Sequence, residues 1–246
     1  MCLQTKVEAK QEEQKLYLGR KLLGTKAVYS YRILAMQTTT HSTAFERFAG
    51  VCALLVGIIG FLYGIAFVIL QNILLSGLFL MLGGLLSTVA LLALYYRLRE
   101  ADAAFALLAL LLGITGAVGS AIHGGYDLAN AIHPLSSAPA AELPNPVDPR
   151  GLLTFGLAGV ALLIGGWLIL RGRVQLPKGL GYLAFLAAVL LIVLYVGRLV
   201  IFDPRSPLIV VPALLSGFLV NPALYLWLGV IFLRGRRASL GGVGQS

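Results

Sequence analysis

The sequence predicts an all-α, polytopic integral membrane protein of six transmembrane helices, with both termini on the cytoplasmic side. Three observations carry that expectation. The chain of 246 residues is 59% hydrophobic and only 12% charged, with a mean hydropathy of +0.89, against roughly 45–50% apolar residues in soluble domains. Its apolar residues come in continuous blocks rather than in the alternating pattern of barrel strands, which selects helices over a barrel. Finally, the charges lie almost wholly between those blocks.

A span needs about 20 largely apolar residues to cross a hydrocarbon core of about 30 Å. Six stretches qualify: 49–70, 73–96, 103–126, 151–170, 179–202 and 207–233. Of the 19 Lys and Arg, eight precede the first span, two follow the second (Arg97, Arg99), three follow the fourth (Arg171, Arg173, Lys178) and three follow the sixth (Arg234, Arg236, Arg237). Only Arg150, Arg198 and Arg205 fall on the other side. The excess of cations marks the cytoplasmic face, and an even number of spans returns the chain to it. Tyr95, Tyr96, Trp167, Tyr225 and Trp227 lie toward the same face, where amphipathic rings settle at headgroup depth. The expected location is the cell membrane, of the bacterial inner-membrane kind.

Taken in order, residues 1–48 form a basic cytoplasmic segment with no apolar run long enough for a signal peptide, so the first span acts as the targeting element. Residues 1–35 mix Leu and Val with seven basic and three acidic side chains. That pattern fits an amphipathic helix on an anionic leaflet; a true start at Met36 is the rival reading. Spans one and two are joined through Gln71 and Asn72 as a tight hairpin. The loop 131–150 carries Pro134, Pro139, Pro144, Pro146 and Pro149 and is expected to be extended. Residues 234–246 form a basic tail, and no separate soluble domain or internal repeat is visible.

Small residues one turn apart at Gly60/Gly64, Gly83/Ser87, Gly84/Thr88 and Gly116/Ser120 predict close helix packing within the bundle, with oligomeric state left open. Cys2 and Cys52 lie in different settings, a polar segment and an apolar span, which argues against a structural disulfide. The formal charge of +9 does not imply nucleic acid, because the cations sit at the ends of apolar blocks rather than on one soluble face.

Candidate chemistry gathers near one membrane face. The third span ends in His123, Tyr126, Asp127, Asn130 and His133. Taking His123 as zero at about 100° per residue, these fall at roughly −60°, 40°, −20° and −80° in turn, on one face if the helix continues. His123 and Asp127 stand at i and i+4, where the carboxylate orients the ring. Tyr195 and Arg198 stand near the same end of the fifth span, and an arginine there is costly without a partner. An Asp127–Arg198 ion pair beside His123, roofing an outward-facing pocket, is therefore expected. Asp148-Pro149-Arg150 and Asp203-Pro204-Arg205 read as helix caps, Asp at the N-cap with Pro following. Asn221-Pro222 reads as a kink in span six, with Asn221 bonded to a neighbouring helix.

These residues leave three functional classes. The first is a non-enzymatic membrane protein binding a small solute or lipid at His123, Tyr126, Asp127, Asn130, Tyr195 and Arg198, in a transport or sensing setting. The second is a membrane-embedded metal hydrolase using His123, Asp127 and His133, although no HExxH motif supports it. The third is a structural subunit in which the same groups clamp helices. No hydrolase elbow, phosphate-binding loop or dinucleotide fingerprint is present, no cofactor is implied, and the partner expected throughout is the lipid bilayer.

Overall fold

A computed structural model describes residues 44–134, 151–172, 174–200 and 206–234. The chain divides into a unit Met1–Phe45 and a unit Glu46–Ser246; the packing below belongs to the second. The N-terminal segment, the caps at 148–150 and 203–205, the tail beyond Arg234 and all but the first residues of the proline-rich loop lie outside the described residues.

Among the described residues there is no strand, and six helices are long and apolar enough to cross a membrane. They are α1 (Ala44–Ile69), α2 (Ile73–Leu98), α3 (Ala103–Ile132), α4 (Leu152–Leu170), α5 (Lys178–Val200) and α6 (Pro207–Arg234). Two ends differ from the sequence expectation. The first helix begins five residues early, and the third runs to Ile132 rather than to 126, with His133 as its C-cap. Residues 127–132 carry Leu, two Ala and Ile beside Asp127 and Asn130, and contain no proline or glycine to stop a helix that is already propagating.

The connections are built as their residues dictate. Between α1 and α2, Gln71 takes a left-handed backbone (φ 50°) and the Asn72 side chain caps α2 by accepting from the Leu75 N–H at 3.0 Å. Asp102 caps α3 by accepting from the N–H groups of Ala104 and Phe105, each at 3.1 Å. At the far end of α4, Gly172 (φ 72°) supplies the left-handed turn that stops the helix.

Each helix packs on its neighbour in the chain, and α6 returns to α1, so the six close into a ring. The closeness comes from glycine. A Cβ on Gly124 of α3 would collide with the Gly77 carbonyl oxygen and the Met81 nitrogen of α2, while one on Gly84 would sit 2.7 Å from the Ala121 nitrogen. Backbone therefore lies on backbone along the α2–α3 seam. Against α6, α1 offers Gly50, Gly57 and Gly64, spaced by sevens: Gly229 approaches the Gly50 carbonyl, Gly57 the Pro222 carbonyl at 3.0 Å, and Gly64 the Phe218 ring at 3.2 Å. A seven-residue spacing keeps one face toward a partner that crosses at a shallow angle.

The predicted small-residue pairs are thus only partly used. Gly84 and Gly116 are in tight contacts, but nothing lies within 4 Å of a Cβ on Gly60, and Gly83 meets only Ile59 at 3.5 Å. Thr88 and Ser120 spend their hydroxyls on carbonyls of their own helices, those of Leu85 and Gly116.

The interior is made largely of small side chains: the buried positions of α3 are Ala106, Ala109, Gly113, Gly116, Ala117, Gly119 and Gly124. Large apolar side chains face outward on every helix, among them Phe61, Leu85, Leu111, Leu186, Leu208 and Leu219.

At the end of the bundle carrying Arg97, helices α2 to α6 surround a cavity of about 40 Å³ lined by Tyr95, Leu98, Ala106, Ala161, Gly165 and Leu180 among others. A Cβ on Gly165 would sit 3.7 Å from Leu98 Cδ1, an ordinary contact. Gly165→Ala is therefore expected to stabilise the protein by about 0.5–1 kcal/mol through lower backbone entropy in the unfolded chain, read as a higher thermal unfolding midpoint in detergent. A fall in the midpoint would mean that this space is needed.

The aromatic residues expected as a belt divide into two groups. Arg99 lies over the Tyr96 ring at 4.9 Å and Arg171 over Trp167 at 4.0 Å, at the periphery of this end. Tyr95 and Tyr225 turn inward instead, and both line the cavity. Arg97 and Glu46 pair at 2.8 Å and tie α2 to α1.

Candidate functional site

The polar groups of interest lie at the opposite end of the ring, the end carrying Gln71. On α3, His123 and Asp127 face each other one turn apart, with Nε2 and Oδ2 separated by 3.5 Å and side chains 16% and 30% exposed. At that distance the contact is electrostatic rather than a short hydrogen bond. Asp127 stands against α2, its Cβ 3.3 Å from where a Cβ on Gly77 would be, so the missing side chain at Gly77 lets the carboxylate approach.

Two further helices reach this region. On α5 the buried face runs Leu180, Ala184, Ala187, Leu191 and Leu194, and the next position on it, four residues on, is Arg198. The arginine thus continues the interior stripe to the helix end, where it is exposed. On α1 the stripe Ala49, Cys52, Val56 is continued seven residues on by Tyr63. The charges of both Asp127 and Arg198 act on the Tyr63 phenol. Three apolar stripes therefore turn polar at the same end of the bundle.

The expected direct ion pair between Asp127 and Arg198 is not formed. Among the described residues the ion pairs are Arg97–Glu46 and His123–Asp127. Tyr63, half-buried and stacked on Phe67 at 5.6 Å, is a further polar side chain at this end. Its signal was available: a phenol within an otherwise apolar span, seven residues beyond a buried position.

The rest of the predicted set is divided. Asn130 is half-buried, whereas Tyr126 is 52% exposed and His133, as the C-cap, is exposed. The single face drawn from the helical period therefore splits into a half-buried edge with His123, Asp127 and Asn130 and an outward edge with Tyr126 and His133. No three His, Cys, Asp or Glu side chains among the described residues are grouped to hold a metal ion; His133 lies too far along α3 to join His123 and Asp127. Tyr195 packs on α4, its ring 3.1 Å from where a Cβ on Gly156 would be. Cys52 is free and buried.

Three π-helical turns accompany this end: Ile65–Ile69 in α1, Leu152–Leu157 in α4 and Leu215–Val220 in α6. Such turns recur at functional sites because they displace side chains from the α-helical register. The α4 turn holds Thr154, whose hydroxyl is buried without a hydrogen-bond partner. In α6, Asn221 donates from Nδ2 to Ser216 Oγ at 2.7 Å, a bond within its own helix rather than to a neighbour as the sequence suggested. Proline at 222 has no N–H for the Phe218 carbonyl and crowds it, and the helix accommodates this by widening into the π turn without breaking.

No protein-family model matches the chain, and neither a curated protein nor a solved structure matches it; functional reading rests on the geometry of this site.

Proposed function

We propose that the protein is a multi-pass membrane protein, with both termini cytoplasmic, that binds a small polar solute or lipid headgroup at the outer end of its bundle in a transport or sensing role. Insertion is supported by the inverted arrangement of side chains, small inside and large apolar outside, which would aggregate in water but suits lipid. Orientation is supported by the sixteen of 19 Lys and Arg assigned to the Arg97 side.

The observation that carries the binding reading is the convergence of Tyr63, the His123–Asp127 pair and Arg198 at the end of three interior stripes. Ionisable side chains are expensive at membrane depth and are kept there for ligands or ions. Asp127 and His123 offer acceptors, Arg198 offers donors, and Tyr63 offers both. The test is native mass spectrometry of the protein purified in mild detergent. A defined adduct on wild type that is weakened in Arg198→Ala is expected, and its mass identifies the ligand class. Background lipid alone, equal in both proteins, would reject tight binding here and favour a clamp between helices.

A further inference from the structure

The sixth helix is built in two unlike arms. Its inner arm, residues 221–234, is held by close contacts: a Cβ on Gly229 would sit 2.8 Å from the Gly50 carbonyl oxygen, Gly57 faces the Pro222 carbonyl, and Tyr225 lines the inner cavity. The outer arm, Pro207–Leu214, buries only Ile209 and Pro212 and leaves Leu208 and Val211 more than half exposed. It packs along α5, with Ile209 Cγ1 3.6 Å from where a Cβ on Gly197 would be, an ordinary contact, and beside it runs an open apolar groove of about 460 Å³ lined by Ile192, Val193, Val196, Gly197, Val200 and Leu208.

Between the arms lies the π turn Leu215–Val220, with proline at 212 and 222 flanking it. The Asn221–Ser216 bond depends on that turn. Residues five apart in an α-helix point roughly 140° away from each other, so the carboxamide and the hydroxyl meet only in the wider register. Nothing lies within 4 Å of a Cβ on Gly217, so the turn has room on that side. On the other, Phe218 packs edge-on against Phe61 at 5.9 Å and covers Gly64, both within two residues of Tyr63 in α1.

We infer that α6 is a gated helix: the π turn is a hinge latched by the Asn221–Ser216 bond, the arm Pro207–Leu214 swings against α5 into the groove, and Phe218 transmits the movement to Tyr63. The hinge stands on packing alone; its action as a gate rests on the binding site proposed above. Pro222 keeps one carbonyl of the helix unmatched in either register, so the α and π forms are close in energy, and the latch decides between them.

Dipolar broadening between paired nitroxide labels, read by continuous-wave electron paramagnetic resonance, tests this on the full chain. Spin labels at Leu208 and Val193 read the outer arm, and labels at Trp227 and Tyr182, both exposed, read the inner arm. Ser216→Ala is expected to shift or broaden the outer distance on the order of 5 Å, about one helical turn, while the inner distance stays unchanged. Identical outer distributions in wild type, Ser216→Ala and Asn221→Ala would overturn the hinge. Should those variants fail to fold, hydrogen exchange on wild type decides the matter: faster exchange at residues 213–220 than at 223–234 is expected, and equal protection overturns the proposal. Both readouts work without ligand, so a rigid arm would sink the hinge and leave the binding site standing. A mobile arm in a protein that retains no adduct would do the reverse.

Discussion

Gly124→Val is expected to produce the largest loss of stability of any single substitution considered, seen as a collapse of the thermal unfolding midpoint in detergent or as failure to fold. An overpacked core usually costs about 1–3 kcal/mol because neighbouring side chains can rotate away. Here the nearest atoms are the Gly77 carbonyl oxygen and the Met81 nitrogen, both backbone, and they cannot move without separating α2 from α3. The cost therefore lies at or beyond the upper end of that range. Gly60→Ala is the matched control: with nothing within 4 Å of its Cβ, it is expected to be neutral or to gain about 0.5–1 kcal/mol. Equal behaviour of the two variants would show that the α2–α3 backbones are not in contact.

Asp127→Asn is expected to have the largest effect on binding. It keeps the size and hydrogen-bonding reach of the side chain but removes the charge that faces His123 and acts on Tyr63. Removing one member of a half-buried charged set typically costs about 2 kcal/mol or more, which corresponds to roughly thirtyfold in affinity. The adduct carried by wild type should fall by about that factor, with the unfolding midpoint little changed. A pure clamp gives the opposite pattern, a clear drop in the midpoint with the bound species unaltered. Arg198→Ala, which acts from another helix, should weaken the same adduct, and a double variant should lose no more than the sum of the two if each touches the ligand independently.

Much of the fold was legible because a membrane span announces itself by length and hydropathy alone. Six blocks, their order and the Gln71–Asn72 hairpin follow from positions of apolar runs and polar breaks, and each of those six is a helix. The third helix was drawn short because hydropathy falls at His123 and Asp127, whereas the backbone follows helix propensity and continues to Ile132. The site was legible in its residue types and in the His123–Asp127 spacing, which is local. Its non-local part is not legible there: the expected Asp127–Arg198 pair joins two helices far apart in the chain and is not formed, and no local pattern marks Tyr63 beyond a phenol in an apolar span.

That this chain folds as six apolar helices, and which residues bring charge near a membrane face, could be read from the amino-acid order, since hydropathy, caps and proline act over a few neighbouring residues. Which glycines are seams and which are bare surface became visible in the packed bundle. The bundle also shows that Arg198 and Tyr63 continue interior stripes toward Asp127, and that Asn221 bonds within its own helix. Those outcomes depend on how far each helix is rotated about its axis. Rotation is set by the packing of one backbone against another, through contacts tens of residues apart that no local pattern encodes.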